Sequence, residues 1–374
     1  MNHLGGALAD KRVVICAGAG GVGKTTVSAV VALGLAAQGR RVALVTIDPA
    51  RRLAEALGLD SLGNRPQPVE TARFDVSKLE VRGELFAMML DAKRTFDELI
   101  DVLAPNPLTR EQILANPIYE HLSTAVAGSQ EYTAIAKLFE LEHSGDYDVI
   151  VLDTPPSRHA IDFLQAPDRL TGFLEGPALA AFLRPTGHAA RAAGVMFAAL
   201  GRLTGVGLLE DMTVFFQLLA GLLEGFRRRA ADVHALLTSG TSAFLIVTSP
   251  EQAAIEEAIF FGAELDRAGM RRAGVIVNRM HRLDSADSDA MATGARLADA
   301  LGAALAKKVV RTHADVQRLA RADHAAAERL RAALNDEPIC LTDRATDVHD
   351  TDGLVDLQAE LFGEPLREPS GSPA

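Results

Sequence analysis

The stretch VVICAGAGGVGKTTVSAVV, starting at Val13, constrains this chain more than any other feature, because it satisfies two phosphate-binding patterns at once. Gly18, Gly20 and Gly23 fit G-x-G-x-x-G, the dinucleotide fingerprint, while Gly18, Gly23, Lys24 and Thr25 fit G-x-x-x-x-G-K-[ST], the P-loop. Both patterns place an apolar strand before the glycines and a helix after them. They differ in what must follow the last glycine. A dinucleotide fold wants an acid at the end of the second strand, which Asp48 could supply, but it has no use for Lys-Thr at this point. A P-loop needs an ammonium group to neutralise phosphate oxygens and a hydroxyl to ligate Mg²⁺ while backbone N–H groups cradle the phosphates. Lys24 and Thr25 stand where those roles require, and the following helix adds the positive end of its dipole. The P-loop reading is therefore the stronger. The cradle is the backbone of Gly18, Gly20, Gly21, Val22 and Gly23, and Lys24, Thr25 and Thr26 open the helix.

The rest of the chain reads as an α/β protein. RVVICA, RVALVTI, ELFAMML, DYDVIVLD, AFLIVTS and AGVIVNR are short, mostly continuous apolar runs of the kind buried parallel strands need, and PICL near the end is a candidate last strand. Between the first two runs lies KTTVSAVVALGLAAQG, an Ala- and Leu-rich helix closed by Gly39. This order predicts a doubly wound, mainly parallel sheet. VIVL runs into Asp153 and places a carboxylate at the C-terminal edge of a strand, the position of a Walker B acid beside the loop.

One region breaks the rhythm. From about Gln165 to Gly240 there is only apolar helical material, in which Phe215, Leu218, Leu219, Leu222 and Phe226 recur at helical spacing and form one stripe. Either a helical subdomain packs on the sheet, or the stripe, with Phe197, belongs to a partner or cargo surface. The expected division is a nucleotide-binding domain over 1–164 and 241–362, a helical insertion over 165–240 and a disordered tail over 363–374, whose EPLREPSGSPA is rich in Pro, Gly and Ser.

Composition removes several function classes. A net charge of −11 argues against a nucleic-acid surface. Two cysteines, Cys16 and Cys340, form neither a disulfide framework nor a C-x-x-C pair, which fits a reducing cytoplasm. MNHLGGALADKR lacks the pattern of a signal peptide, and no apolar run approaches the roughly 18 residues of a membrane span.

Three separated blocks resemble one family. GAGGVGKTTVSAVVALGLAAQGRRVALVTIDPARRLAEALG is similar to the opening of the ArsA-type ATPases, which include arsenite-pump ATPases and ATPases that target tail-anchored proteins. GSQEYTAIAKLFELEHSGDYDVIVLDTPPSRHAIDFL resembles the family's acidic helix, strand and switch II, and PEQAAIEEA with AGVIVNRM resembles its adenine-recognition region. The resemblance spans about Arg12 to Phe362 and implies a dimeric, Mg²⁺-dependent ATP hydrolase whose cycle controls a hydrophobic partner or cargo surface. Residue by residue it implies that Thr25 binds Mg²⁺ directly and Asp153 holds it through water. It further implies that Asp48 positions the attacking water, Asn278 reads the adenine edge and His159 reports the γ-phosphate through switch II. Asp48 also suits a helix N-cap before Pro49, and His159 also suits a solvated loop.

The departures carry equal weight. The family's P-loop has a lysine where Ala19 stands, reaching across the dimer to the partner's phosphates, and no nearby lysine replaces it: Lys24 is alone between Lys11 and Lys78. The resemblance is nearest to paired bacterial chains of which one lacks that lysine, so a homo- or hetero-oligomer with a lysine-bearing relative is expected. Arg51 and Arg52, just after the DPA of switch I, are the nearest other cations in sequence, with solvated helix charge as their alternative reading. Thiolate capture of arsenite and a zinc-binding C-x-x-C both lack their residues, and switch II reads DTPPSRH instead of D-T-A-P-T-G-H. Two further readings stay open, a nucleotide-binding partner subunit with little turnover and a small-molecule kinase or ligase of the same fold class.

Overall fold

The computed structural model describes residues 3–47, 51–77, 79–119, 129–154, 206–283, 290–344, 348 and 350–363. Its strands are β1 (Val13–Ala17), β2 (Arg41–Thr46), β3 (Gln67–Pro68), β4 (Glu84–Met89), β5 (Val149–Asp153), β6 (Ser242–Thr248), β7 (Arg272–Met280) and β8 (Ile339–Thr342). They form one sheet in the order β3-β4-β2-β5-β1-β6-β7-β8. Every pairing is parallel except that of β3 with β4. β3 was not foreseen. It is two residues long and contains Pro68, which a sheet tolerates at an edge because proline has no N–H to donate.

The helices are α1 (His3–Leu8), α2 (Lys24–Ala37), α3 (Arg51–Ala56), α4 (Ala72–Val76), α5 (Ala92–Leu103), α6 (Pro107–Leu114), α7 (Ser129–Ser144), α8 (Val206–Ala220), α9 (Leu223–Thr238), α10 (Gln252–Arg267), α11 (Ala290–Leu301), α12 (Ala303–Leu334) and α13 (Thr351–Phe362). Strand residues alternate between two cores, as the pleat dictates. Val13, Ile15 and Ala17 face a core shared with α5, α7, α8, α9, α10 and the end of α12. Val14 and Cys16 face the opposite core, shared with α2, α3, α4 and α13. Both sheet faces are therefore covered, which explains why the strands are continuously apolar. α2 is apolar nearly all round because α13 packs on it from outside.

The stripe from Phe215 to Phe226 is divided between two helices, α8 and α9, with Gly221 and Leu222 at the break. Phe215, Leu219, Leu222 and Phe226 are all buried in the first core, with Leu218 packed against it. The Phe226 ring stacks on Phe96 with centroids 6.3 Å apart, and Tyr119 lies between Phe96 and Phe215. These side chains are thus core in this structure, which favours helices packed on the sheet over a partner surface at Phe215, Leu219 and Phe226. Alongside α5, α6 and α7, the two helices have enough apolar neighbours to bury the stripe in one layer. Phe197, with most of the expected insertion, lies outside the described residues, as does the tail beyond Gly363.

Candidate functional site

β1 lies at the centre of the sheet between β5 and β6, so the loop after it opens at the carboxyl edge where parallel α/β sheets bind ligands. Two glycines are required there by their surroundings. A Cβ at Gly18 would lie 1.9 Å from the Val247 carbonyl oxygen of β6. Gly23 has φ +92°, and its Cβ would lie 2.3 Å from Asn278 Nδ2. The loop passes between β6 and the end of β7 with no room for side chains at these points.

Lys24 opens α2 and is 6% exposed. Its ammonium donates to the carbonyls of Gly18 at 2.9 Å and Ala19 at 2.8 Å, so it arches back over the loop. The Thr25 hydroxyl donates to Asp153 Oδ2 at 2.6 Å. Asp153 is fully buried at the end of β5, and the register that sets Cys16 and Thr46 opposite it brings a second donor, Thr46 Oγ1, to the same oxygen at 2.9 Å. Ser28 Oγ bonds the Lys24 carbonyl at 2.8 Å and approaches Asp153 Oδ1 at 3.4 Å. The structure therefore brings Thr25 and Asp153 into contact at the loop that Lys24 closes, and adds Thr46 and Ser28, which the sequence reading missed. Thr46 gave no signal because its role depends on strand order; Ser28 had one, its position one turn after Lys24.

Asn278, at the end of β7, donates from Nδ2 to the Val22 carbonyl at 2.9 Å, buttressing the loop from below. Gly20 and Gly21 are exposed at the tip, Val22 is buried and Thr26 is half-buried. A cavity of about 610 Å³ opens beside the loop, lined by Ala19 to Val22 and by Ser249, Glu251, Glu257 and Arg279 among others. Arg279 has φ +64°, a left-handed conformation uncommon outside glycine, and its side chain is exposed. Asp48 and His159 lie outside the described residues, as do the side chains of Arg51 and Arg52.

Burial pushes the Cys16 thiol up to about 12, so it stays protonated at neutral pH. Cys340 is exposed on β8. No cluster of three or more His, Cys, Asp or Glu suited to a metal occurs among the described residues.

A hydroxyl and a carboxylate in contact, beside a lysine at the start of a helix, offer hard oxygen donors and positive charge. That set suits Mg²⁺ and phosphate oxygens. Together with the sheet order, it defines a P-loop nucleoside-triphosphatase fold. The family profile described as anion-transporting ATPase matches residues 11–300, and the chain belongs to that ArsA-type ATPase family. It is similar to ATPase GET3 of Malassezia globosa, 28% identical over 270 residues that make up 71% of this chain and 72% of the relative. It also matches ATPase GET3B of Arabidopsis thaliana, at 26% identity over 287 residues, 74% of this chain and 66% of the relative. The arsenical pump-driving ATPase of Escherichia coli is 35% identical over 162 residues, but these cover 42% of this chain and only 26% of that protein. Among the described residues, no helix is long and apolar enough to cross a membrane.

Proposed function

We propose that this chain binds Mg-ATP at the loop after β1 and hydrolyses it within an oligomer, using the nucleotide cycle to change its contacts with a partner. The observation that carries the reading is the 2.6 Å bond between Thr25 and Asp153 beneath the arch of Lys24. It brings the loop hydroxyl and the strand carboxylate, separated by 128 positions, to one point. Lys24 would exchange its two carbonyl partners for phosphate oxygens, and the Gly20–Gly23 amides would cradle the same group. Thr25 would ligate Mg²⁺, with Asp153 holding it through water and Thr46 keeping the carboxylate in place. When bound, Mg²⁺ neutralises charge on the β- and γ-phosphate oxygens. Asp48 would orient the attacking water by accepting its hydrogen bond.

Ala19 places a methyl group where the family resemblance calls for a cation, so a second, lysine-bearing chain would supply that charge. The cargo would be a hydrophobic protein, as the resemblance implies, and its surface would lie outside the buried Phe215–Phe226 stripe. Calorimetric titration of Mg-ATP and phosphate-release assays on the chain and its Lys24→Ala variant test the reading. Binding or turnover should disappear in the variant. Undiminished phosphate release from Lys24→Ala would refute the assignment.

A further inference from the structure

β7 does not run straight into the nucleotide site. Its pairing with β6 ends at Val277, and against β8 it advances from Val277 to Met280 while its neighbour advances only from Cys340 to Thr342. The extra residue makes a β-bulge, a device that re-aims side chains next to functional sites. Asn278 and Arg279 lie inside it. Asn278 turns its amide onto the Val22 carbonyl of the P-loop, at 2.9 Å. Arg279 takes the left-handed φ of +64°. In a non-glycine residue that conformation is strained, and it persists only where the flanking structure holds it.

One flank of the bulge is the sheet ladder at Val277. The other is held by α12. His281 donates its backbone N–H to Asp323 Oδ2 at 2.9 Å, and its ring Nδ1 lies 2.7 Å from the same oxygen. Asp323 is 8% exposed, and every other buried residue of α12 is Ala or Leu. A carboxyl group set in such a row loses hydration and needs a specific partner, which His281 supplies. The Met280 carbonyl also accepts from Asp343 N at 2.8 Å, and Gln317, earlier on α12, donates to the Arg282 carbonyl at 3.3 Å. Residues 280–282 are therefore fixed from outside the strand, and the bulge is stretched between that clamp and the ladder.

We infer that Asp323 is a positioning residue for the nucleotide loop, acting through His281 and the β7 bulge on Asn278. The inference rests on the nucleotide reading for its ligand, but not for its geometry. Without the clamp, Arg279 would relax out of its left-handed conformation and Asn278 would swing away from Val22. Val22 and Gly23 immediately precede Lys24, so losing that contact loosens the loop beside the ammonium that arches over it. A carboxyl group that only tied α12 to the sheet would leave the Asn278 contact indifferent to its removal.

The test uses the full chain. In the nucleotide-free protein, the side-chain amide of Asn278, identified in NMR spectra by its loss in Asn278→Ala, reports the bond to Val22. In Asp323→Ala its signal should move to the position of a solvated amide. In Asp323→Asn, whose amide oxygen can still accept both hydrogen bonds, it should stay. His281→Ala keeps the backbone bond and should give a smaller shift in the same direction, which keeps the test decisive if Asp323→Ala does not fold. Calorimetry should show Mg-ATP binding about tenfold weaker in Asp323→Ala, about threefold weaker in His281→Ala and nearly unchanged in Asp323→Asn. The loss should vanish when Asp323→Ala is placed in the Asn278→Ala background, as expected of residues that act through one contact. An unmoved Asn278 signal in Asp323→Ala and His281→Ala, or an affinity loss that persists in full in the Asn278→Ala background, overturns the inference. Absence of Mg-ATP binding by the wild type would instead refute the nucleotide reading, and the Asn278 signal would still decide this one.

Discussion

Replacing Gly23 by alanine tests how the P-loop is supported from β7. Two costs can be read from the structure. The backbone there has φ +92°, which an L-residue holds at about 1 kcal/mol or more. The new Cβ would also lie 2.3 Å from Asn278 Nδ2, so the amide must move by roughly 1 Å to reach van der Waals distance and lose its 2.9 Å bond to the Val22 carbonyl. A lost hydrogen bond of this kind costs about 1 kcal/mol, and residual crowding adds a similar amount, so Gly23→Ala should destabilise by about 3 kcal/mol. Asn278→Ala alone should cost about 1 kcal/mol. The double variant has no clash to relieve and has lost the bond only once, so it should be no less stable than Gly23→Ala, with a coupling of about −2 kcal/mol. Urea unfolding of the wild type, both single variants and the double variant measures this cycle, and Mg-ATP affinity gives a second readout because Lys24 is the next residue. Strictly additive losses would show that Asn278 does not support the loop at Gly23.

Cys16 and Cys340 should separate on thiol labelling: Cys340, exposed although partial burial and nearby Glu337 raise its thiol, reacts slowly in the native protein, whereas Cys16, buried with its thiol pushed up to about 12, reacts only after denaturation. Because the folded thiol titrates above its ordinary value of 9.0, the unfolded chain loses its proton first, so stability should fall between about pH 9 and pH 12, and less steeply in Cys16→Ala; equal slopes in urea titrations would contradict this. Asp48→Asn should retain Mg-ATP in calorimetry but lose about 10² in turnover, and unchanged turnover would remove it from the mechanism. The isolated chain should hydrolyse ATP slowly, and Ala19→Lys or a lysine-bearing relative should raise the rate, by an amount approaching the roughly 10³ of a cation supplied in trans; brisk hydrolysis by the chain alone, unaffected by Arg51→Ala with Arg52→Ala, would exclude the oligomer argument.

What could be read from the sequence follows from how local each signal is. β1, β2, β4, β5, β6 and β7 were legible because strands covered on both faces must be largely apolar, and few other segments are; β8, an edge strand in which only Leu341 is buried, showed itself only as the short apolar run PICL. β3 was not, since two residues with a proline carry no period, and α1 was hidden by the two glycines of HLGGAL although Leu4 and Leu8 are buried one turn apart. In the site, Lys24 and Thr25 were legible because the loop enforces their spacing, and Asp153 because its strand runs into it. Thr46 became visible only once β2 and β1 were known to flank β5, since register alone places its hydroxyl on that carboxylate. The two apolar stripes make the same point from opposite sides. Phe215 to Phe226 and Leu305 to Leu319 have similar helical spacing, yet the first is core and the large apolar side chains of the second are 38–51% exposed. Periodicity says that a helix has an apolar face. Whether that face is covered depends on where the helix lies relative to the sheet, and α12, at 32 residues, extends well beyond the part that packs on it.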